Sequence, residues 1–317
     1  MKRILTLLVT AIFTMSSQHK DTPLKKTRAS KQKILSVFFP TDDGRWTDRI
    51  ISSFHNELAM VPIPIEFLTV GWRGEKESLM KDIQTIKPDM IFLPDDFLYS
   101  HLAQDIQKIS EANILFSAFY TDKERLPKGI DHPSGIAADP NALDHFFDQA
   151  FLLNKKLSSL GILGGPFSDP VIEFIKRQAE RKNISVETFK AKSWKEYQDK
   201  MLELSKTKDA IWPLMPFGVR QENGSYVGDG NIQALIKKTN KIILGFGRMA
   251  GFERTIQMGV KPETLGKNAA AIAYGIISGE DPTIQVFHSY SMAIDHLSVK
   301  RLGLSVPEQL KIFLFEK

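Results

Sequence analysis

The run Lys241-Ile242-Ile243-Leu244-Gly245-Phe246, followed by Gly247-Arg248-Met249-Ala250-Gly251, decides how this chain is read. The segment Ile242 to Phe246 has no polar face, so it reads as a strand buried on both sides, as in a parallel sheet covered by helices. A glycine-rich loop follows it. Pro262 then opens an alanine-rich helix, Glu263 to Ser278, which Gly279-Glu280-Asp281-Pro282 stops. Beyond the helix lie a short β-rich run, Ile284 to Tyr290, and a closing segment from Ala293-Ile294-Asp295-His296 through Arg301-Leu302-Gly303-Leu304-Ser305-Val306-Pro307.

Upstream of this stretch, strand-like runs alternate with helix-like ones, the mark of a parallel sheet with crossover helices. Strands are predicted at Ile34 to Phe39, Ile63 to Val70, Asp89 to Leu93 and Ile114 to Phe119. Between them helices are predicted at Trp46 to Leu58, Glu77 to Ile86 and His101 to Ile109. The pattern pauses over the polar segment Thr121 to Asp139. It restarts with helix Asn141 to Leu157, strand Leu160 to Leu163, helix Pro170 to Lys182, strand Ser185 to Phe189, helix Trp194 to Leu204 and strand Ala210 to Leu214. The expectation is an α/β protein of two doubly wound lobes.

Its 317 residues suit two domains better than one core. With 42% hydrophobic and 25% charged residues the composition is that of a globular protein. There is no cysteine, which excludes disulfides, thiolate metal sites, thiol nucleophiles and a lipid-modified cysteine. At the N-terminus Lys2-Arg3, an apolar run from Ile4 to Met15 and Ser16-Ser17 follow the order of an export signal. The apolar run is shorter than the roughly 20 residues needed to span a bilayer. Residues 1–17 are therefore expected to be a signal peptide cleaved near Ser16, and residues 18–33 a flexible basic tether. Of the formal charge of +5, Lys2 and Arg3 carry two and the tether a net five, which leaves a folded body at −2. The basic pI thus gives no ground for expecting a nucleic-acid partner.

Several of these segments carry a family pattern. The ending Arg301-Leu302-Gly303-Leu304-Ser305-Val306-Pro307 resembles the Ala-Leu-Gly-Leu-x-(Ile/Val)-Pro ending of the ABC-transporter substrate-binding family that includes the tryptophan- and tyrosine-binding proteins. Thr47-Asp48 with Ser53-Phe54 looks like the family's Leu-Asp and Gly-Phe, although Ser53 replaces the glycine. Ile114-Leu115-Phe116 with Asp122 is similar to its Ile-Leu-Phe and Asp-Pro loop, with Lys123 in place of the proline. Ser134-Gly135-Ile136 resembles its Thr-Gly-Val crossing, and Asp209-Ala210-Ile211-Trp212 its Asp-Ala-Ile-Tyr strand. The resemblance implies a type I periplasmic-binding fold, two lobes joined by three crossings that close on a small ligand. It places lobe one at 34–135 plus about 258–285, and lobe two at 136–257 plus about 286–317.

In such sheets ligands sit beyond the carboxyl ends of the strands. The loops there supply the expected ligand-binding residues. From lobe one these are Thr41, Asp42, Trp46, Asp48, Asp95, Tyr120 and Asp122; from lobe two they are Phe167, Ser168, Met215 and Arg248. Carboxylates dominate one side and glycines with an arginine the other, a division that suits a zwitterion. Structural readings stand beside these. Asp169 before Pro170 is a helix cap or a ligand contact, and Asp42, Asp43, Asp95 and Asp96 precede helices they could cap. Trp46, Phe119, Tyr120, Phe167 and Phe217 lie at strand-to-loop borders, where aromatics plug a core or stack on a ligand. Where the family commonly carries Pro-Thr-Asp, this chain reads Leu214-Met215-Pro216, so an amino-acid ligand is one option among small polar or aromatic solutes. Asn223-Gly224 in the segment Arg220 to Gly230 predicts a tight hairpin, either a lid carrying Tyr226 or a solvent loop.

Enzyme motifs are absent: there is no Gly-x-Ser-x-Gly elbow, no His-Glu-x-x-His and no phosphate-binding loop. Gly245-x-Gly247-x-x-x-Gly251 has the wrong third spacing for a dinucleotide fingerprint. The sequence reading is an exported, non-enzymatic, monomeric receptor, without cofactor or metal, that delivers a solute to an ABC permease. Its alternative is a ligand-sensing periplasmic module that signals to a membrane kinase or cyclase.

Overall fold

A computed structural model of the chain describes residues 31–39, 45–72, 74–118, 126, 129–130, 133–216, 218–248 and 254–315. The expected export signal and the tether up to residue 30 lie outside them.

The first sheet contains β1 (Gln32–Phe38), β2 (Ile65–Gly71), β3 (Met90–Leu93), β4 (Asn113–Ser117), β5 (Ser134–Ala137) and β11 (Ile284–Val286). Its order is β11-β5-β4-β3-β1-β2, and every pairing is parallel. The second sheet contains β6 (Ser159–Gly164), β7 (Ser185–Lys190), β8 (Ala210–Pro213), β9 (Ile242–Arg248), β10 (Ile256–Val260), β12 (Ser291–Asp295) and β13 (Leu314–Phe315). Its order is β13-β12-β10-β9-β8-β6-β7, parallel except where β12 runs against β10. The orders β2-β1-β3-β4-β5 and β7-β6-β8-β9-β10 are the same doubly wound pattern written twice. Each reverses direction once, between β1 and β3 in the first sheet and between β6 and β8 in the second. The chain passes between the sheets three times, at Ala138-Asp139, at Lys261 and at Phe287 to Tyr290.

Helices cover both faces of each sheet, which is why inner strands such as β3 and β8 are apolar and buried at every residue. On the first sheet, α1 (Arg45–Ala59) and α8 (Pro262–Ile277) share one core with Ile34, Phe92 and Leu115. On the other face α2 (Lys76–Ile86) and α3 (Asp96–Ile109) pack over Leu35, Ile91 and Phe116. On the second sheet α4 (Pro140–Leu153) and α5 (Asp169–Arg181) lie over Ile162, Trp212 and Leu244. The opposite face carries α6 (Trp194–Thr207) and α7 (Asp229–Ile236), over Leu163, Ile211 and Ile243. The alanine-rich helix thus returns to the first sheet, and the C-terminal strands return to the second. Helix α8 can lie tight on α1 because Gly266 has no side chain: a Cβ there would collide with the Ile50 carbonyl. Ser53 ties the two helices together by donating its hydroxyl to the Glu263 carbonyl at 2.9 Å.

Several elements escaped the sequence reading, among them β5, β10 and α7. β5 is four residues long and is built around Gly135, whose φ of +149° and lack of a Cβ let Phe116 press on its backbone. β10 lies in what reads as loop, although Ile256, Met258 and Val260 alternate with Gln257 and Gly259. α7 opens on Asp229-Gly230, residues of a turn, and shows its buried face only at Ile232, Leu235 and Ile236. Boundaries also move. α3 starts at Asp96, not His101, because Asp95 caps it by accepting from Phe97 N at 2.9 Å. α4 ends at Leu153 instead of Leu157, where Asn154 turns the chain and accepts from Lys156 N at 3.1 Å.

Candidate ligand cleft

Both direction reversals open a crevice at the carboxyl ends of the strands, and the residues just beyond those ends meet across it. Phe39 follows β1, Trp72 follows β2, and Phe97 and His101 lie on α3 after β3. From the second sheet, Phe167 follows β6, while Met215 and Tyr226 follow β8. Phe39, Trp72 and Phe97 are buried to within 3% of full cover although they stand at the ends of strands.

These rings form one network. Phe39 meets Phe97 edge-on at 5.4 Å, and Trp72 stacks near Phe97 at 6.1 Å. Phe167 reaches from the second sheet to Trp72 at 5.7 Å and to His101, edge-on, at 5.2 Å. Tyr226 meets Phe39 at 5.4 Å. Such pairs stabilise by about 0.5–1.5 kcal/mol each beyond their area. Between Phe39 and the second-sheet residues Met215, Val219 and Tyr226 there is no room for a water molecule. The contact is dry, and it lies toward the β2 and β7 edges, away from the three crossings.

Local chemistry presents each ring. His101 Nδ1 donates to the Phe97 carbonyl at 2.8 Å, which fixes its ring against α3. Tyr226 is held by Arg220, whose guanidinium lies 4.4 Å over its ring and also donates to its hydroxyl at 3.0 Å. Arg220 and Tyr226 pair as an antiparallel bridge around Gly224, which has φ +82°. The Asn223-Gly224 hairpin therefore forms, and its tyrosine lies against the first sheet.

The other expected site residues fall in several places. Trp46 is 8% exposed and packs in the core shared by α1 and α8. Asp48 is exposed in the first turn of α1, where partial burial still raises its carboxyl. Asp95 caps α3. Ser168 is 3% exposed, and its hydroxyl accepts from Gly165 N at 3.0 Å, so it shapes its own loop. Ser168, not Asp169, is the cap residue of α5, and Asp169 pairs instead with Lys190 at 2.8 Å. Arg248 is the last residue of β9. Thr41, Asp42, Tyr120 and Asp122 lie outside the described residues, as do Asp43, Phe119, Phe217 and the side chain of Arg248.

Two buried charges were not among the expected ligand-binding residues. Asp96, one residue beyond the expected Asp95, is 2% exposed at the start of α3, where the helix dipole favours a carboxylate. It lies close enough to Tyr290 to help burial raise that hydroxyl, together with Asp139. Arg254 is 6% exposed and crosses Gly245, where any Cβ would collide with its guanidinium. Its charge acts on Tyr197, whose pKa burial pushes up and whose hydroxyl donates to the Leu214 carbonyl at 2.7 Å. The signal for Arg254 was a glycine inside an otherwise apolar strand, which marks close approach by a neighbour. Among the described residues no group of His, Asp and Glu is arranged to hold a metal, and no helix is long and apolar enough to cross a membrane.

Solved structures share this fold. One is the ABC domain from Streptococcus pneumonia in complex with L-Trp, with TM-score 0.70 and 16% identity over 90% of this chain and 100% of that one. Another is a conserved domain protein from Vibrio cholerae, with TM-score 0.69 and 15% identity over 90% of this chain and 98% of that one. A third is a LacI family transcriptional regulator from Bifidobacterium animalis, with TM-score 0.57 and 13% identity over 83% of this chain and 99% of that one. No protein-family model and no curated protein sequence matches the chain.

Proposed function

The fold is the type I periplasmic-binding fold, two α/β lobes joined by three crossings, and from it we propose that the protein is an exported solute-binding receptor. In this reading lobe one runs to Ala137 and takes back α8 and β11, and lobe two holds the rest. The lobes close on a small polar or aromatic solute, and the protein, as a monomer, hands it to an ABC importer. The observation that carries the reading is the meeting of two strand-end crevices through Phe39, Trp72 and Phe97 on one side and Phe167 and Tyr226 on the other. A fold that closes this way needs no catalytic group, and no enzyme motif occurs in the sequence. The likeness to a domain solved with L-Trp supports an amino-acid or aromatic solute.

The proposed solute bridges the lobes. Asp122, Asp42 and Asp48 would face an ammonium from lobe one. Arg248 would hold a carboxylate from lobe two, and Tyr120, Phe167, Ser168, Met215 and Thr41 complete the proposed set; Trp46, packed in the core under α8, is left out of it. Thermal-shift screening of the mature protein against amino acids, nucleosides, sugars and organic acids tests the reading, followed by calorimetry on Arg248→Ala. A charge-assisted bond in a closed site contributes about 1.5–3 kcal/mol, so the variant should bind a carboxylate solute at least about tenfold more weakly. Absence of any stabilising solute would contradict the reading, and equal affinities would remove Arg248 from the site.

A second reading, a module that senses its solute and signals to a membrane kinase or cyclase, is favoured by the likeness to a transcriptional regulator, since this fold also serves sensing. Both need the same closing cleft. Co-purification of the solute-loaded protein with a permease or with a sensor separates them.

A further inference from the structure

We propose that a cavity beside two of the three crossings is a second binding site, for a small flat aromatic molecule carrying one hydrogen-bond donor. It lies on the side of β10 and β12 and shares no lining residue with the ring network. Its volume is about 360 Å³, within the ~300–1,000 Å³ typical of small-molecule pockets.

The floor is apolar and deformable. Met258 and Met292 stand on the neighbouring strands β10 and β12, in the register Met258 opposite Met292. Tyr290 and Phe313 complete it. Tyr290 has its hydroxyl engaged by Asp139 N at 3.2 Å, which leaves the ring for packing. Two thioethers beside two aromatic rings accept a flat ring, because polarizable sulfur meets ring edges favourably and unbranched methionine adjusts its shape.

The rim selects the polar end. His288 Nδ1 lies 2.9 Å from Asp139 Oδ2. A carboxylate can only accept, so the proton of this contact is on Nδ1, and the ring in its neutral form presents Nε2 as an acceptor. The other oxygen of Asp139 accepts from Asn141 N at 2.9 Å as the cap of α4. Each carboxylate oxygen thus already accepts one hydrogen bond within the protein. Asn141 and His145 also line the cavity, and the free Nε2 of neutral His288 is an acceptor suited to a phenolic O–H or an indole N–H. Asp139 belongs to the first crossing and His288 and Tyr290 to the third, so an occupant would touch both connections at once.

The test uses the whole chain labelled with carbon-13 at the methionine methyls, with phenol, indole and fluorobenzene as probes. Met258→Leu and Met292→Leu assign the two signals. Saturable shifts of those two methyls, at roughly millimolar phenol or indole, are expected, with the remaining methionine methyls still. His288→Ala, a change at a side chain 71% exposed, should weaken phenol and indole about fivefold, the scale of one neutral hydrogen bond. The same change should leave fluorobenzene, which has no donor, unaffected. No shift at Met258 and Met292 overturns the site. Phenol binding indifferent to His288→Ala overturns the assigned chemistry.

Discussion

The ring of Phe167 stands 5.7 Å from that of Trp72, so a residue following a strand of one sheet is packed against a residue following a strand of the other. Phe167 also lies against His101, and these contacts bridge the lobes at the end remote from the crossings. Removing the ring with Phe167→Ala should shift the solute-free protein toward an open form. Small-angle scattering should report a larger radius of gyration, and the emission of Trp72, now 2% exposed, should move to the red. An unchanged radius and emission would mean that Phe167 does not hold the lobes together.

Gly218 supports the same ring from its own lobe. It has φ +85°, and a Cβ there would stand 2.6 Å from Phe167 Cε2. Backbone strain of this kind costs about 1–3 kcal/mol, and the ring must also move. Gly218→Ala is therefore expected to lower the melting temperature and to open the molecule as Phe167→Ala does. If Gly218→Ala melts as the wild type does, the packing around Phe167 is looser than described.

The two-lobe organisation was readable because its signals are local. Ile242 to Phe246 is apolar without a break, and Pro262 and Gly279 bracket an alanine-rich helix. The site was less readable because its aromatic members are ambiguous one at a time. Phe167 and Trp46 both sit near strand ends, yet Trp46 packs under α8 and Phe167 spans the cleft. That difference depends on α8, which arrives more than two hundred residues after Trp46, as the Ser53 to Glu263 separation of 210 illustrates. Asp95 and Asp96 show the same limit at the smallest scale. Which of two adjacent acids caps the helix and which is buried depends on where the helix begins, and helix starts are poorly fixed by pattern.

Asp209 ties the starts of β6 and β8. Burial would raise its carboxyl, but hydrogen bonds from the backbone N–H and hydroxyl of both Ser158 and Ser159, each 2.9 Å from Oδ2, outweigh it and hold the pKa below the usual value. Asp209→Ala leaves these donors to water, since the site is partly exposed, and should cost about 1–2 kcal/mol in urea unfolding. A midpoint unchanged within error would show that solvent replaces the carboxylate fully.

His55 gives the fold a pH dependence of known sign. Its ring stacks on Phe67 at 4.4 Å, its Nε2 lies 3.0 Å from Ser36 Oγ, and burial lowers its pKa from 6.5. The unfolded chain therefore takes up this proton more readily than the native one. The contribution of His55 is intact above pH 6.5 and is lost as pH falls from there through the lower native value. Melting temperatures measured from pH 7.5 to 5 should fall less steeply for His55→Gln than for the wild type. Equal slopes would show that His55 is not a source of the dependence.

The central claim is that the two lobes close on a solute. The chain has no cysteine, so Glu77→Cys on α2 and Lys195→Cys on α6, both exposed, provide two spin-label sites without background, one on each lobe. Pulsed electron–electron resonance should find a broad distance distribution without solute, which a stabilising solute from the thermal-shift screen narrows to its short end. A distribution that stays the same when that solute is bound at saturation would contradict closure, and with it the proposed function.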